Sequence, residues 1–366
     1  MVKHCYIHIP FCKTICTYCD FCKQYYDPKK VEKYLKDLKQ EIQKEYQKDI
    51  FQTIYIGGGT PTCLEEKELE RLLEIIDSFQ KEEKIEITIE ATFNSLTKEK
   101  LERLKKHHIN RMSIGVESLD QKNQEFLGRK IEKEEIIKKM NLMRNLGFQN
   151  INLDLIYAIP NESKETLQED LEFIVSLNPE HISTYSLMIE DHTMLKIQGV
   201  EPIEEEMDQE MYKQVISYLK ENGYVHYEIS NFAKPGYESK HNLCYWKNKE
   251  YYGFGCGAAS YINSIRKTNT RSLTNYEKGN VLEKEEVTED DKIEYEILLG
   301  LRLLEGINLK EFEEKYHQSL SDIYSYEELV KQGFLKIEEN HLKIPEDLLY
   351  VSNEIMVKLL QTRKVG

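Results

Sequence analysis

No stretch of this 366-residue chain approaches the roughly eighteen consecutive apolar residues that a membrane-spanning helix needs. The first residues, MVKHCYIHIPFC, lack the apolar core and the cleavage site of a signal peptide. Positive charge is in short supply: 50 Lys and Arg stand against 65 Asp and Glu, a formal net charge of −15. Such a surface repels phosphate backbones and argues against a nucleic-acid partner. There is no internal repeat and no low-complexity tract. These absences predict a cytoplasmic protein, a compartment in which thiols stay reduced. They leave peripheral membrane contact and homodimerisation open.

What is present is a foldable, thiol-bearing chain. Its apolar fraction is 40%, with 24 Tyr and 12 Phe, enough to bury a sizeable core and to exclude a disordered protein. The length suits two domains. Short β-type runs alternate with helical ones. Strands are predicted over Cys5–Ile9, Thr53–Ile56, Ile85–Glu90, Arg111–Val116, Ile151–Tyr157, His181–Leu187 and Tyr224–Ile229. Asp27 can cap a helix that places Val31, Tyr34, Leu35, Leu38 and Ile42 on one face, and Met207–Lys220 is helical. This alternation predicts an α/β fold of parallel βαβ units, with barrel, partial barrel and open sheet all compatible. Residues 234–285 read as a loop-rich connecting segment. From residue 286 onward, helices and a hairpin turning at Glu339-Asn340 predict a small, winged-helix-like helical domain.

The eight cysteines call for an explanation other than disulfides, because four of them lie within eleven residues. Cys12, Cys16 and Cys19 form C-x3-C-x2-C on a loop after the first strand. Three thiolates can hold three irons of a 4Fe–4S cube and leave the fourth open. With Cys22 as a fourth ligand, the same run would close a zinc tetrahedron. Spacing alone fits both. Gly57, Gly58, Gly59, Thr60 and Pro61 end the second strand; this is neither G-x-G-x-x-G nor a P-loop, so dinucleotide and phosphate-loop readings fail. Glu90, Glu117 and Asp154 lie in or at the ends of later strands, where barrel sites collect, although each alone reads first as a solvated carboxylate or a cap. His241 precedes Tyr245 and Trp246, the only tryptophan. A loop histidine beside two aromatic faces suits axial ligation of heme iron, but the residues alone read first as a hydrogen-bonded loop pinned by Trp246.

The Cys triplet, with Tyr18 just before its third member, followed at this distance by Gly57–Pro61, resembles the radical S-adenosylmethionine (SAM) superfamily over about residues 1–230. The resemblance implies a partial β/α barrel carrying a 4Fe–4S cluster on Cys12, Cys16 and Cys19, with SAM held partly by Gly57, Gly58, Gly59 and Thr60. A narrower resemblance covers nearly the whole chain. Tyr6-Ile7-His8-Ile9-Pro10-Phe11-Cys12, Ser113-Ile114-Gly115-Val116-Glu117-Ser118, Leu127-Gly128-Arg129 and Asn152-Leu153-Asp154-Leu155-Ile156-Tyr157 are similar to the oxygen-independent coproporphyrinogen III oxidase group. In that group the residues matching Tyr6, Glu90, Glu117, Arg129 and Asp154 contact SAM.

The group contains true oxidases and HemW-type heme chaperones, and the chain is more similar to the chaperones. Phe21 stands where the oxidases have a cysteine, which implies that Cys22 is not a cluster ligand. Only eleven residues precede Cys12, where the oxidases carry a long extension. His241-Asn242-Leu243-Cys244-Tyr245-Trp246 resembles the chaperones' heme-associated H-N-x-x-Y-W motif. The expected function is therefore binding of heme and its delivery to apo-hemoproteins, with His241 as heme ligand, Cys244 as a competing thiolate, and no coproporphyrinogen oxidase activity. No catalytic residue is assigned. The rivals are an oxidase that decarboxylates porphyrin propionates and a zinc-stabilised binding module. The chain departs from the group's pattern at Glu117, usually Gln, at Ala158-Ile159-Pro160-Asn161, usually G-L-P-G, and at Ala259-Ser260, often A-H-G.

Overall fold

The computed structural model describes residues 1–364. Its centre is a nine-stranded sheet. In chain order the strands are β1 (His4–Ile9), β2 (Ile50–Gly58), β3 (Gln80–Thr92), β4 (Arg111–Glu117), β5 (Ile151–Tyr157), β6 (His181–Ser186), β7 (Val225–Glu228), β8 (Asn231–Ala233) and β9 (Tyr252–Phe254). They lie side by side as 9-1-2-3-4-5-6-8-7, and every pair from β9 to β6 is parallel. Among the described residues no ladder joins the two edges, so the sheet stays open, in keeping with the partial barrel that the family resemblance implied.

Local chemistry explains the elements. The helix Pro28–Glu45 begins where the Asp27 side chain accepts from the main-chain N–H groups of Lys29 and Lys30, and its buried residues are Val31, Tyr34, Leu35, Leu38 and Ile42. The helix Glu66–Asp77 opens with a capping box between Glu65 and Glu68 and buries Leu69, Leu72, Leu73, Ile75 and Ile76. These stripes pack on one face of the sheet, against Cys5, Ile7, Ile54, Ile56, Ile87, Ile89, Met112, Ile114, Leu153 and Leu155, all fully buried. Each large aliphatic side chain removed from water contributes about 1.5–3 kcal/mol before the entropy cost of ordering it.

Two expectations are corrected. The predicted strand Tyr224–Ile229 is present as β7, but it forms a hairpin: β8 runs antiparallel to both β6 and β7. The link from β7 to β8 is too short for a crossover helix, so a parallel βαβ return is excluded. Residues 234–285 are far more structured than a loop-rich segment. They supply the helix Lys240–Trp246, capped by the Ser239 side chain on Asn242 N–H, then β9 at the sheet's edge, then an antiparallel three-stranded sheet of Ala259–Ile262, Ile265–Asn269 and Val281–Glu286. The C-terminal region follows its prediction. The helix Glu289–Gly300 is capped by Thr288, and Glu339 and Asn340, with φ of 48° and 65°, turn the hairpin Lys336–Glu338/His341–Lys343, which is joined by Ile307–Asn308. Among the described residues no helix is long and apolar enough to cross a membrane.

Candidate functional site

The second face of the sheet is polar, and the period-2 alternation of strands puts it there. Register aligns it in rows. His4, Thr53 and Glu86 form one row; Tyr6, Tyr55, Thr88 and Arg111 form the next. His8, Gly57 and, one strand further, Glu90, Ser113, Asn152 and His181 follow, then Gly115, Asp154 and Ser183. The site residues expected from the sequence thus share one surface toward the C-terminal ends of the strands. This surface does not satisfy itself internally: among the described residues the buried Thr88 Oγ1, Arg111 Nε and Arg129 Nε have no hydrogen-bond partner. Orphaned buried donors of this kind mark a surface built for a further polar partner.

The loop after β1 carries Cys12, Cys16 and Cys19 and is clamped from two sides. Thr17 N–H donates to Leu127 O (3.2 Å), the Thr17 hydroxyl donates to Phe126 O (2.8 Å), and Leu195 N–H donates to Thr17 O (3.2 Å). Burial pushes the Cys12 thiol up to about 11, against a hydrogen bond from Thr60, whose hydroxyl lies 3.8 Å from the sulfur. Burial also raises Cys16 and Cys19. These thiols become good ligands only when metal charge replaces their protons. Cys22 is turned away, its sulfur 3.9 Å from that of Cys256. Among the described residues no three of His, Cys, Asp or Glu gather closely enough to hold a single metal ion. With Cys22 turned toward Cys256, the loop offers three thiols, a donor set that suits a cube with one open iron better than a closed tetrahedral zinc site.

Gly57, Gly58 and Gly59 make room, but for the protein's own groups. A Cβ on Gly57 would lie 2.6 Å from the Glu90 carboxyl carbon, and one on Gly58, whose φ is +109°, would lie 2.3 Å from the His8 ring. Glu90 accepts from Gly58 N–H (2.9 Å) and from the Tyr55 hydroxyl (2.8 Å), so it is fixed directly beneath the loop. Burial pushes its carboxyl up to about 7. Tyr6 and His8 share a 2.8 Å hydrogen bond, and His8 Nε2 donates to Cys22 O (2.7 Å), tying β1 to the far end of the cysteine loop.

Glu117 closes β4 with a register shift against β5 and a φ of +68°. This left-handed turn costs a residue with a Cβ about 1–2 kcal/mol, and here it folds the carboxylate back over Gly115. Arg129 meets it at 2.7 Å and also donates to the Tyr18 hydroxyl (3.3 Å). The Glu117 carboxylate is thus paired with the Arg129 guanidinium. Burial raises Glu117 while Arg129 opposes it. Asp154 accepts from Asn152 (2.7 Å), and burial raises its carboxyl too. Tyr18, Glu117 and Arg129 thus form one hydrogen-bonded group, and Tyr55, Gly58 and Glu90 another, at the C-terminal ends of the strands.

His241 is placed differently from the loop ligand expected. It is helical and 1% exposed, with Nδ1 2.7 Å from Thr53 Oγ1 and Nε2 2.8 Å from the Tyr245 hydroxyl. Glu86 accepts from His241 N–H (3.1 Å) and fixes the first turn of that helix on the sheet. Desolvation holds the His241 imidazole well below its usual range, so it is neutral. A cavity of about 470 Å³ is bordered by Tyr6, Phe21, Tyr55, Gly58, Glu90, Tyr185, His241 and Tyr245, a size that takes a large cofactor. His241 is thus at the cavity wall, but both nitrogens are engaged, and iron ligation requires the Tyr245 hydroxyl to move off Nε2. Trp246 does not border this cavity; the Arg302 guanidinium lies 5.6 Å from its ring. Cys244 is 2% exposed with a thiol raised by burial, an unfavourable competitor.

Sequence reasoning missed His8, Tyr55, Thr53 and Glu86. The signal was there for the first two: they alternate with apolar residues in Tyr6-Ile7-His8-Ile9 and Ile54-Tyr55-Ile56, a polar stripe inside strands otherwise buried on both faces.

Residues 6–174 match the radical SAM superfamily, and residues 287–347 match the HemN C-terminal domain. Curated relatives include the heme chaperone HemW of Bacillus subtilis, 37% identical with 97% of this chain and 98% of that one covered. The heme chaperone HemW of Lactococcus lactis is 36% identical (97% and 96% covered), and that of Escherichia coli is 31% identical (90% of each). Among solved structures, coproporphyrinogen III oxidase (HemN) from Escherichia coli superposes with a TM-score of 0.85 at 22% identity, covering 97% of this chain and 89% of that one.

Proposed function

Because the chain belongs to the HemW heme chaperone family within the radical SAM superfamily, we propose that it binds heme and hands it to apo-hemoproteins. The observation that supports this most is the shared cavity: His241 and Tyr245 line one space of about 470 Å³ together with Tyr6, Gly58 and Glu90. In this reading Cys12, Cys16 and Cys19 hold a 4Fe–4S cluster. Tyr6, Tyr18, Gly57, Gly58, Gly59, Thr60, Glu90, Glu117, Arg129 and Asp154 hold SAM, and His241 takes the heme iron. Such a cluster, when bound and reduced, supplies the electron that cleaves SAM to a 5′-deoxyadenosyl radical.

The chain's own groups bind and orient. Arg129 neutralises Glu117 and aims Tyr18, Glu90 offers a carboxylate to a cationic group, and Tyr55 and Gly58 hold that carboxylate still. The reading assigns cofactor holding to residues 1–233, heme handling to 234–285, and an accessory role to the small domain from 286 onward. It places the protein in the cytoplasm, without a nucleic-acid partner.

Anaerobically purified, cluster-loaded protein with SAM and a reductant tests it when offered heme and, separately, coproporphyrinogen III. The expected result is stable heme binding with no carbon dioxide release. Stoichiometric carbon dioxide from coproporphyrinogen III would replace the chaperone reading with the oxidase.

A further inference from the structure

Two cysteines outside the iron-binding triplet meet across the molecule. Cys22 and Cys256 are 234 residues apart in sequence, yet their sulfurs lie 3.9 Å apart, with the residues 7% and 0% exposed. Their backbones are anchored independently. His8 Nε2 donates to Cys22 O (2.7 Å), and Cys256 N–H donates to the Tyr34 hydroxyl oxygen (3.1 Å). Close approach depends on Gly257, where a Cβ would fall 2.5 Å from the Cys22 Cβ. Arg271 reinforces the seam by donating to the Asp20 main-chain oxygen. The sulfurs sit beside the main-chain oxygens of Arg271 (3.5 Å from Cys22) and Thr270 (3.0 Å from Cys256), acceptors for thiol protons in the reduced pair.

We propose that Cys22 and Cys256 form a peroxide-reactive dithiol site whose disulfide ties the cysteine loop to the segment 255–271. A disulfide needs sulfurs about 2 Å apart, so closure takes a movement of about 2 Å, within reach of side-chain rotation. In the first step the Cys22 thiolate attacks one oxygen of hydrogen peroxide. An S–O bond forms, the O–O bond breaks, and hydroxide leaves to take up a proton. In the second step the Cys256 sulfur, giving up its proton, attacks the Cys22 sulfenic acid. The S–S bond forms, the S–O bond breaks, and water leaves. The sum is two thiols and one hydrogen peroxide giving one disulfide and two waters; sulfur is oxidised and peroxide oxygen reduced.

The surroundings assign the roles. The Cys256 thiol, His8 and Arg271 together favour the thiolate at Cys22. Burial pushes Cys5, Cys63 and Cys244 the other way, toward the unreactive thiol. Peroxide is small enough for a nearly closed site. The product would immobilise the exit of the loop at Phe21, which borders the cavity.

The test exposes cluster-loaded protein to one equivalent of hydrogen peroxide, followed by alkylation, tryptic digestion and mass spectrometry. The expected product is a peptide pair linked through Cys22 and Cys256, abolished in Cys256→Ser and in Cys22→Ser. A second measurement needs no variant: on non-reducing gels the oxidised wild-type chain should migrate faster, because the bond closes a large loop, and should revert with dithiothreitol. Alkylatable Cys256 after full reaction, or Cys22 linked instead to Cys12, Cys16 or Cys19, would overturn the proposal.

Discussion

The region around Cys12, Glu90 and Arg129 and the cavity wall at His241 are built to opposite rules. Around Cys12, Glu90 and Arg129, polar groups are held in place but left incomplete. Three thiols lack a fourth, Arg129 Nε has no partner, and Glu117 keeps a left-handed turn. On the wall of His241, every ring nitrogen is already satisfied, by Thr53 and by Tyr245. The first offers open donors, but its thiols must lose their protons before they can hold metal. The second is a finished piece of core that must open before its histidine can coordinate anything. Two regions of one protein can thus differ in the step that limits binding: desolvation and deprotonation in one, breaking a buried hydrogen bond in the other.

The sharpest way to break this contrast is at the thiols. Cys16→Ala should abolish the iron–sulfur absorption and nearly all bound iron, whereas Cys22→Ala should keep both, because Cys22 packs on Cys256. Equal loss in the two variants, by absorption and iron analysis, would return Cys22 to the ligand set. Next in size is Gly58→Val. Its φ of +109° and its clash with His8 should weaken SAM at least about tenfold in an equilibrium titration, with the strain costing about 2 kcal/mol. Unchanged affinity would remove the loop from the SAM site.

A pH profile sharpens the comparison further. Glu90 titrates near 7, neutral below and anionic above, chiefly because of burial. A cationic group of SAM favours the anion, so affinity should rise with pH by up to about tenfold per unit below 7 and level off above it. Glu90→Gln should flatten that rise; a slope unchanged in the variant would assign it to another group.

The smallest expected effect is on the His241 wall. Thr53 has one hydroxyl proton and two imidazole neighbours, His4 Nδ1 at 2.9 Å and His241 Nδ1 at 2.7 Å. Desolvation lowers both histidines, so both are neutral, and one of them must donate to Thr53. When that donor is His241, its Nε2 carries the lone pair that metal coordination requires. Thr53→Val removes this control and should weaken heme about fivefold, the worth of about 1 kcal/mol; Thr53→Ser should restore it. Equal heme affinity in all three proteins would show that the tautomer does not matter.

Much of this was legible in the sequence because it rests on local rules. Asp27 and Pro28 announce their helix, period-2 strands announce the parallel core, and the cysteine spacing announces the thiol loop. What escaped depends on long-range pairing. Tyr252-Gly253-Phe254 is too short to read as a strand, and it exists because β1 offers an unpaired parallel edge. The helix Lys240–Trp246 has a Ser239 cap that can be read locally, but Glu86, 154 residues before Lys240, completes its first turn. That His241 is sealed by Thr53 and Tyr245 follows from strand register, which no single-segment pattern encodes.

The most direct test of the account is a heme titration followed by absorption, comparing wild type, His241→Ala and Tyr245→Phe in cluster-loaded protein. If the cavity binds heme through a histidine that Tyr245 holds back, His241→Ala should shift the Soret band and weaken binding, while Tyr245→Phe should tighten it, with the iron–sulfur spectrum unchanged in both. Heme bound with the same spectrum and affinity in all three proteins would contradict it.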